Sequence, residues 1–359
     1  MNEKDTYIKD IRIYQAVSKL SHPIADSTHD ISKIAFYVLE VETKGGVIGQ
    51  GYLLSFHYSP NAIEGALKDM KKFVLEKDYH VYETAQVQKD YEIESEYFGI
   101  VGLQRWALAT LNVAMWDAWA RTMGQPICHR KPIPVYGSGG WISYSDEELV
   151  DEVVNYQKRG FTAVKIKVGS PDMERDIRRL NLVREATGPN MKIMMDANQG
   201  MDVPSAIKLI SNVEHLGIFW FEEPVVNTDF EGYATIHAKT KISLAMGERE
   251  YSTVALRELI GRRALDLWQP DLIRLGGVEA WRDSAALANA YNIPVLPHYY
   301  KDYDVPLLCT VANPYGAESF DWIDAIIDNP MVIDNGFARP REGEGWGFRF
   351  LHEFMTEVK

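Results

Sequence analysis

Cysteine is nearly absent from this chain: Cys128 and Cys309 are the only two in 359 residues. They lie far apart in sequence and fit no ligand spacing, which excludes a disulfide framework and a thiolate metal centre. They read as buried thiols in a reducing cytosol. Long apolar runs are missing as well, and none approaches the ~20 residues that span a bilayer. The opening MNEKDTYIKD has neither the basic start nor the apolar core of a secretion signal, so a cytoplasmic location is expected. Positive charge is scarce: 38 Lys and Arg face 51 Asp and Glu, a net charge of −13. A surface of that sign repels nucleic acid and anionic membranes, and neither is expected as a partner. An anionic substrate would need positive charge gathered locally, from a metal or a few placed lysines.

The remaining composition suits a globular enzyme, with 46% hydrophobic and 25% charged residues. The length allows one large barrel and a smaller companion domain. Residues 31–42, ISKIAFYVLEVE, are β-branched and aromatic and run through Lys44-Gly45-Gly46 into VIGQGYLL, a hairpin signal. Helical patterns follow from Ala62 to about Leu75 and from Val101 to about Met123, the second stopped by glycine and proline. Residues 1–130 therefore read as an α+β module.

From Ile133 the pattern alternates. Short apolar runs recur as IPVYG, AVKIKV, KIMMD, IFWFEE, SLAMGE, LDLWQPD, IPVLPH and YGAESF, separated by amphipathic stretches such as DEELVDEVVNYQKRG. Strand–helix alternation implies a parallel sheet, and seven or eight such units close into a (β/α)8-type barrel over 131–330. The final segment, 331–359, stops alternating; GEGWGFRFLHEF is expected to pack back on the first module.

The decisive feature is the ionisable residue at the end of each run. Asp196, Glu222, Glu248, Asp271, His298 and Glu318 succeed one another at steps of 26, 26, 23, 27 and 20 residues. Each step is about one βα unit, which returns these side chains to the C-terminal rim where barrels do their chemistry. Any one of them alone reads as a salt-bridged or helix-capping carboxylate. Three acids at consecutive strand ends would repel one another unless a hard cation sat among them, and Asp196, Glu222 and Glu248 are the candidate Mg²⁺ ligands. Lys165 and Lys167, two apart on a strand, share a face. Ion pairing with those carboxylates is their structural role; Lys165 can also hold a substrate carboxylate. Lys167, crowded by Mg²⁺ and a second ammonium, is expected to have a lowered pKa and to act as a base. Asp271 next to His298 would fix the imidazole tautomer and supply a second acid/base group.

At these residues the sequence resembles the enolase superfamily, in its mandelate racemase and muconate lactonizing enzyme subgroup. The resemblance covers essentially the whole chain. It rests on AVKIKVG, MMDANQ, WFEEP, MGE, QPD with its following LGG, and LPHYY, in that order. It implies a modified (β/α)7β TIM barrel with an N-terminal α+β capping domain and a C-terminal segment returning to the cap. It further implies a substrate carboxylate bound at Mg²⁺, with Lys165 and Glu318 stabilising the enediolate left by α-proton loss. By the same resemblance Asn198 would contact a substrate hydroxyl, Ser138 the carboxylate, and the protein would be a dimer-based homo-oligomer such as an octamer. Gly139, Gly140 and Trp141 depart from the family pattern beside Ser138.

Two reactions share this machinery: racemisation of an α-hydroxy acid, and dehydration of an acid sugar to a 2-keto-3-deoxy acid. Specificity should come from loops. Residues 18–30 offer His22, Asp26, His29 and Asp30, residues 57–58 offer His57 and Tyr58, and the last barrel loop offers Tyr299, Tyr300, Lys301 and Asp304. A polar cap suits a polyhydroxylated chain, because unpaired buried hydroxyls are costly. Dehydration of a small carboxylate substrate is the favoured reading. A carboxylate-binding barrel without activity would be expected to have lost a ligand, Lys167 or His298, and none is missing. A binuclear hydrolase would want His-x-His on the first strand, where IPVYGSGG stands.

Overall fold

A computed structural model of the protein describes residues 3–128 and 131–359. The boundary expected between 130 and 131 adjoins His129 and Arg130, which lie outside the described residues, as do Met1 and Asn2.

The first module is built on β1 (Ile8–Ser18), the short pair β2 (Ile24–Ala25) and β3 (Asp30–Ile31), then β4 (Ile34–Thr43) and β5 (Ile48–Leu54). β1, β4 and β5 pair antiparallel, and the β4–β5 hairpin turns where Gly46 adopts φ 81°. Helices α1 (Pro60–Leu75), α2 (Thr84–Glu94) and α3 (Leu103–Thr122) follow. α3 lies so close to β5 that a Cβ on Gly51 would stand 2.5 Å from the Thr110 carbonyl oxygen. Only glycine lets the backbones meet at that distance.

The barrel strands are β6 (Ile133–Gly139), β7 (Ala163–Lys167), β8 (Lys192–Asp196), β9 (Ile218–Glu222), β10 (Ser243–Met246) and β11 (Leu267–Trp268). Between them run α4 (Asp146–Lys158), α5 (Met173–Thr187), α6 (Val203–Val213), α7 (Phe230–His237) and α8 (Val254–Arg262). Several helices start on sequence-encoded caps: Ser145 and Glu148 form a reciprocal capping box on α4, and Asp172 and Asp202 cap α5 and α6. After β11 come α9 (Leu272–Leu275), α10 (Val278–Ala290), α11 (Lys301–Leu308) and β12 (Ala317–Ser319). β12 pairs with β6 and closes the ring.

The seventh barrel position differs from expectation. IPVLPH forms no regular strand; Val295 alone bridges Trp268 on one side and Pro314 on the other. Pro294 and Pro297 carry no N–H and cannot donate to a ladder, so the donors over 294–298 are only the Val295, Leu296 and His298 amides.

A hairpin of β13 (Ile333–Asp334) and β14 (Phe337–Ala338) lies on β6, and β15 (Met355–Glu357) adds to β1 of the first module. In between, the Trp346 indole donates to the Val113 carbonyl at 3.0 Å and the Phe350 amide to Gln50 Oε1 at 2.8 Å. The last segment thus threads the cap. Among the described residues no helix is long and apolar enough to cross a membrane. The two cysteines depart from the expectation of separated, buried thiols: both are partly exposed, and the Cys128 thiol is a hydrogen-bond partner of Cys309.

Candidate active site

Strand register assembles the centre. Lys167 pairs with Asp196 across β7 and β8, and Asp196 pairs with Glu222 across β8 and β9. The last residues of three neighbouring strands therefore stand in one row. Glu248 follows β10 after Gly247, whose φ of 141° no side chain tolerates easily. Asp196, Glu222 and Glu248 are buried, and each offers an oxygen such that all three lie within 4.8 Å of one another.

This donor set fits a hard cation. It is all oxygen and triply anionic, and Glu248 Oε2 is buried without a hydrogen-bond partner, an acceptor that a metal ion would satisfy. The other oxygens are steadied from the protein side: Asn198 N–H donates to Asp196 Oδ1 at 2.8 Å and Gln269 Nε2 to Glu222 Oε2 at 2.6 Å. Burial, with its carboxylate neighbours, pushes Glu222 up to about 7 despite Lys165. Self-repulsion of this kind is what a bound cation relieves.

The lysines point into the same centre. Lys165 Nζ is 2.7 Å from both Glu222 and Glu318, and Lys167 Nζ is 2.6 Å from Asp196. Burial is the largest influence and opposes the charge on Lys167, but Asp196, Asp26 and Glu248 together outweigh it and its pKa lies above the ordinary lysine value. That is the reverse of the expected depression, which depends on a cation drawing the Asp196 charge away from the ammonium. Burial would raise Glu318, but Lys165 and His298 hold it at about 2. Across the barrel mouth, His298 Nδ1 is 2.8 Å from Asp271 Oδ2, and its Nε2 faces Glu248 at 3.5 Å. Burial works against the imidazolium, yet Glu248 and Asp271 raise its pKa.

A cavity of about 380 Å³ joins these groups to the cap. Lys167, Asn198, Glu248, Asp271, His298, Tyr299 and Glu318 line it. Asn198 lines this cavity, and its Oδ1 is buried and without a hydrogen-bond partner. Two expected residues sit elsewhere. His22 is exposed and 3.6 Å from Glu148, outside the cavity, because the β2–β3 turn carries Asp26 and His29 inward instead. Asp26 Oδ1 accepts the Thr28 and His29 amides, both at 2.7 Å, which closes that turn. Ser138 is level with Lys165 in the sheet, but it borders a neighbouring cavity beside Tyr156 and Glu152. Of the other loop residues, Tyr58 and Tyr300 reach the cavity, whereas Asp30, His57, Lys301 and Asp304 do not.

Sequence reasoning missed the apolar part of the wall. Ile31, Leu54, Phe56, Ile63, Leu103 and Trp106 face the cavity from the cap, so its lining is mixed rather than polar. Their signal was only their position at the ends of β3, β5, α1 and α3. Arg249 was missed too; its Nε lies 2.8 Å from the buried Glu223.

Fold and site together define an enzyme barrel with three carboxylates gathered at one buried point on its rim. Residues 148–354 match the enolase C-terminal domain-like family, and residues 8–129 match the N-terminal domain of mandelate racemase and muconate lactonizing enzyme. The chain belongs to the mandelate racemase and muconate lactonizing enzyme family of the enolase superfamily. L-talarate/galactarate dehydratase of Salmonella typhimurium strain LT2 is 26% identical over 94% of this chain and 87% of its own length. Arabinonate dehydratase of Saccharolobus solfataricus is 27% identical over 98% of this chain and 99% of its own. A crystal structure of the Salmonella enzyme, liganded with Mg and L-lyxarohydroxamate, is similar with a TM-score of 0.90 at 25% identity, covering 98% of this chain and 94% of that one.

Proposed function

We propose that this protein is a magnesium-dependent acid-sugar dehydratase that removes the proton α to a carboxylate and then expels the hydroxyl on the next carbon. The observation that carries this reading is the convergence of Asp196, Glu222 and Glu248 on one buried point, with Glu248, Lys167 and His298 lining the cavity beside it. Those three residues would hold magnesium, which would supply positive charge against the substrate carboxylate and the negative charge that develops there. Lys167 takes the α-proton in its neutral form. Lys165, 2.7 Å from Glu318, donates to the enediolate oxygens, and Glu318 shares a proton with them; a lysine base working with magnesium is the arrangement for which this superfamily is known. His298, oriented by Asp271, protonates the departing hydroxyl. Asn198 binds a substrate hydroxyl, and Tyr299, which lines the same cavity, is a second substrate contact. The product is a 2-keto-3-deoxy acid.

The division into a cap at 1–130, a barrel at 131–330 and a return segment at 331–359 belongs to the same proposal. So do a cytoplasmic location, a dimer-based homo-oligomeric assembly, and a lack of nucleic-acid or membrane partners. One observation favours a second reading. The apolar residues that the cap sends into the cavity suit an α-hydroxy acid with an apolar substituent, which Lys167 and His298 would racemise. The two are separated by incubating the magnesium-loaded protein with acid sugars and α-hydroxy acids in D₂O. A ketone product reports elimination; deuterium at the α-carbon or inversion without ketone reports racemisation. Neither exchange nor ketone with any substrate would overturn both.

A further inference from the structure

Cys309 ends α11, the helix that begins just after His298, and its Sγ donates to the Lys131 carbonyl at 3.6 Å. Lys131 is three residues beyond Cys128 on the linker that leads from the cap to the first barrel strand. That linker is pinned at its start: the Ile127 amide donates to the Gly345 carbonyl at 3.1 Å. Cys128 is itself a hydrogen-bond partner of Cys309. We propose that Cys128 and Cys309 form an intramolecular disulfide under peroxide, a covalent clasp between the cap-to-barrel linker and α11.

The chemistry is set up on the Cys309 side. The hydrogen bond from Cys128 draws the Cys309 thiol down to about 7 against the effect of burial, so a large share is thiolate near neutrality. Both side chains are partly exposed, which admits a small oxidant. The Cys309 thiolate attacks one peroxide oxygen, breaking the O–O bond, and becomes a sulfenic acid while the other oxygen leaves as water after protonation. Cys128 sulfur then attacks the sulfenic sulfur, forming the S–S bond and releasing the second water. Two thiols lose two electrons and two protons; one peroxide is reduced to two waters. No other cysteine in the chain competes.

The test uses the full-length protein and one equivalent of hydrogen peroxide at neutral pH. Denatured thiol titration is expected to fall from two to none, with the mass lower by two hydrogens, a single monomeric band on non-reducing electrophoresis, and a Cys128–Cys309 crosslinked peptide. The thermal midpoint should rise on oxidation and return with dithiothreitol. Retention of both thiols, a mass gain from added oxygen, or a disulfide-linked dimer would each overturn the proposal. Cys128→Ser is expected to convert the outcome to stable oxygen addition at Cys309; loss of both thiol signals without crosslink in wild type would count against it equally.

Discussion

Asp271 divides its two oxygens between two tasks: Oδ1 accepts the amides of Ile273 and Arg274 at 2.9 and 2.8 Å, while Oδ2 lies 2.8 Å from His298 Nδ1. The helix-capping contact and the imidazole contact thus coexist, one per oxygen. Asn caps a helix about as well as Asp, but an amide cannot stabilise an imidazolium as a carboxylate does. Asp271→Asn should therefore lower kcat by roughly 10²–10⁴-fold while leaving the thermal midpoint near wild type. Steady-state rates and a melting curve on one preparation check this; full activity would end the dyad assignment.

Metal dependence rests on the orphaned Glu248 Oε2 and its two acidic neighbours. EDTA should abolish turnover and Mg²⁺ restore it. Glu248→Gln removes one anionic ligand, so calorimetric titration should show magnesium affinity weakened by at least ~10-fold. Turnover undiminished after exhaustive chelation would contradict the three-carboxylate centre.

His29, not His22, should govern substrate affinity. His29 lines the cavity on a turn fixed by Asp26, which burial would raise but His29 and Lys167 hold at about 2. Losing one hydrogen bond of ~1.4 kcal/mol corresponds to about tenfold in KM for His29→Ala. His22→Ala should stay within about twofold. The reverse ranking would show the cap turn to be placed wrongly.

A pH-dependent stability term should come from Glu152, away from the metal centre. Burial pushes its carboxyl up to about 7, although it accepts the Gly140 amide at 2.6 Å. The folded state holds that proton more tightly than the unfolded chain, where the group titrates near 4.5. Its contribution is complete below pH 4.5 and is lost as pH rises through 7. Glu152→Gln, which can still accept from Gly140, should raise the melting temperature at pH 8 more than at pH 5. An equal effect at both would refute the assignment.

Much of the centre was legible because barrel strands repeat: a charged residue about every 26 positions must return to one rim. Asp196, Glu222, Glu248, Asp271 and His298 follow that period closely, and Glu318 comes after a shorter step of 20 residues. The seventh strand did not read correctly, since an apolar run looks alike whether or not prolines strip its donors. His22 and His29 share one polar loop, and only the turn closed by Asp26 decides which faces inward. Leu54, Leu103 and Trp106 look like core in any sequence; their exposure to a cavity depends on how the cap seats. Cys128 and Cys309 meet through chain closure over many units, which no local pattern encodes.

The seating of the cap has a kinetic corollary. The Tyr52 and Leu54 amides of β5 donate to the hydroxyls of Tyr303 and Tyr300, each at 3.0 Å, in the stretch just after His298. Swinging the whole cap away would break both of these hydrogen bonds, at roughly 0.5–1.5 kcal/mol apiece. The small turn at Asp26–His29 carries a lighter tether: Ser27 Oγ donates to the Ala197 carbonyl, and among the described residues no hydrogen bond ties the turn to α11. Admission of reactant and discharge of product are therefore cheapest by flexing that hairpin tip, with the two large bodies staying docked through the turnover cycle.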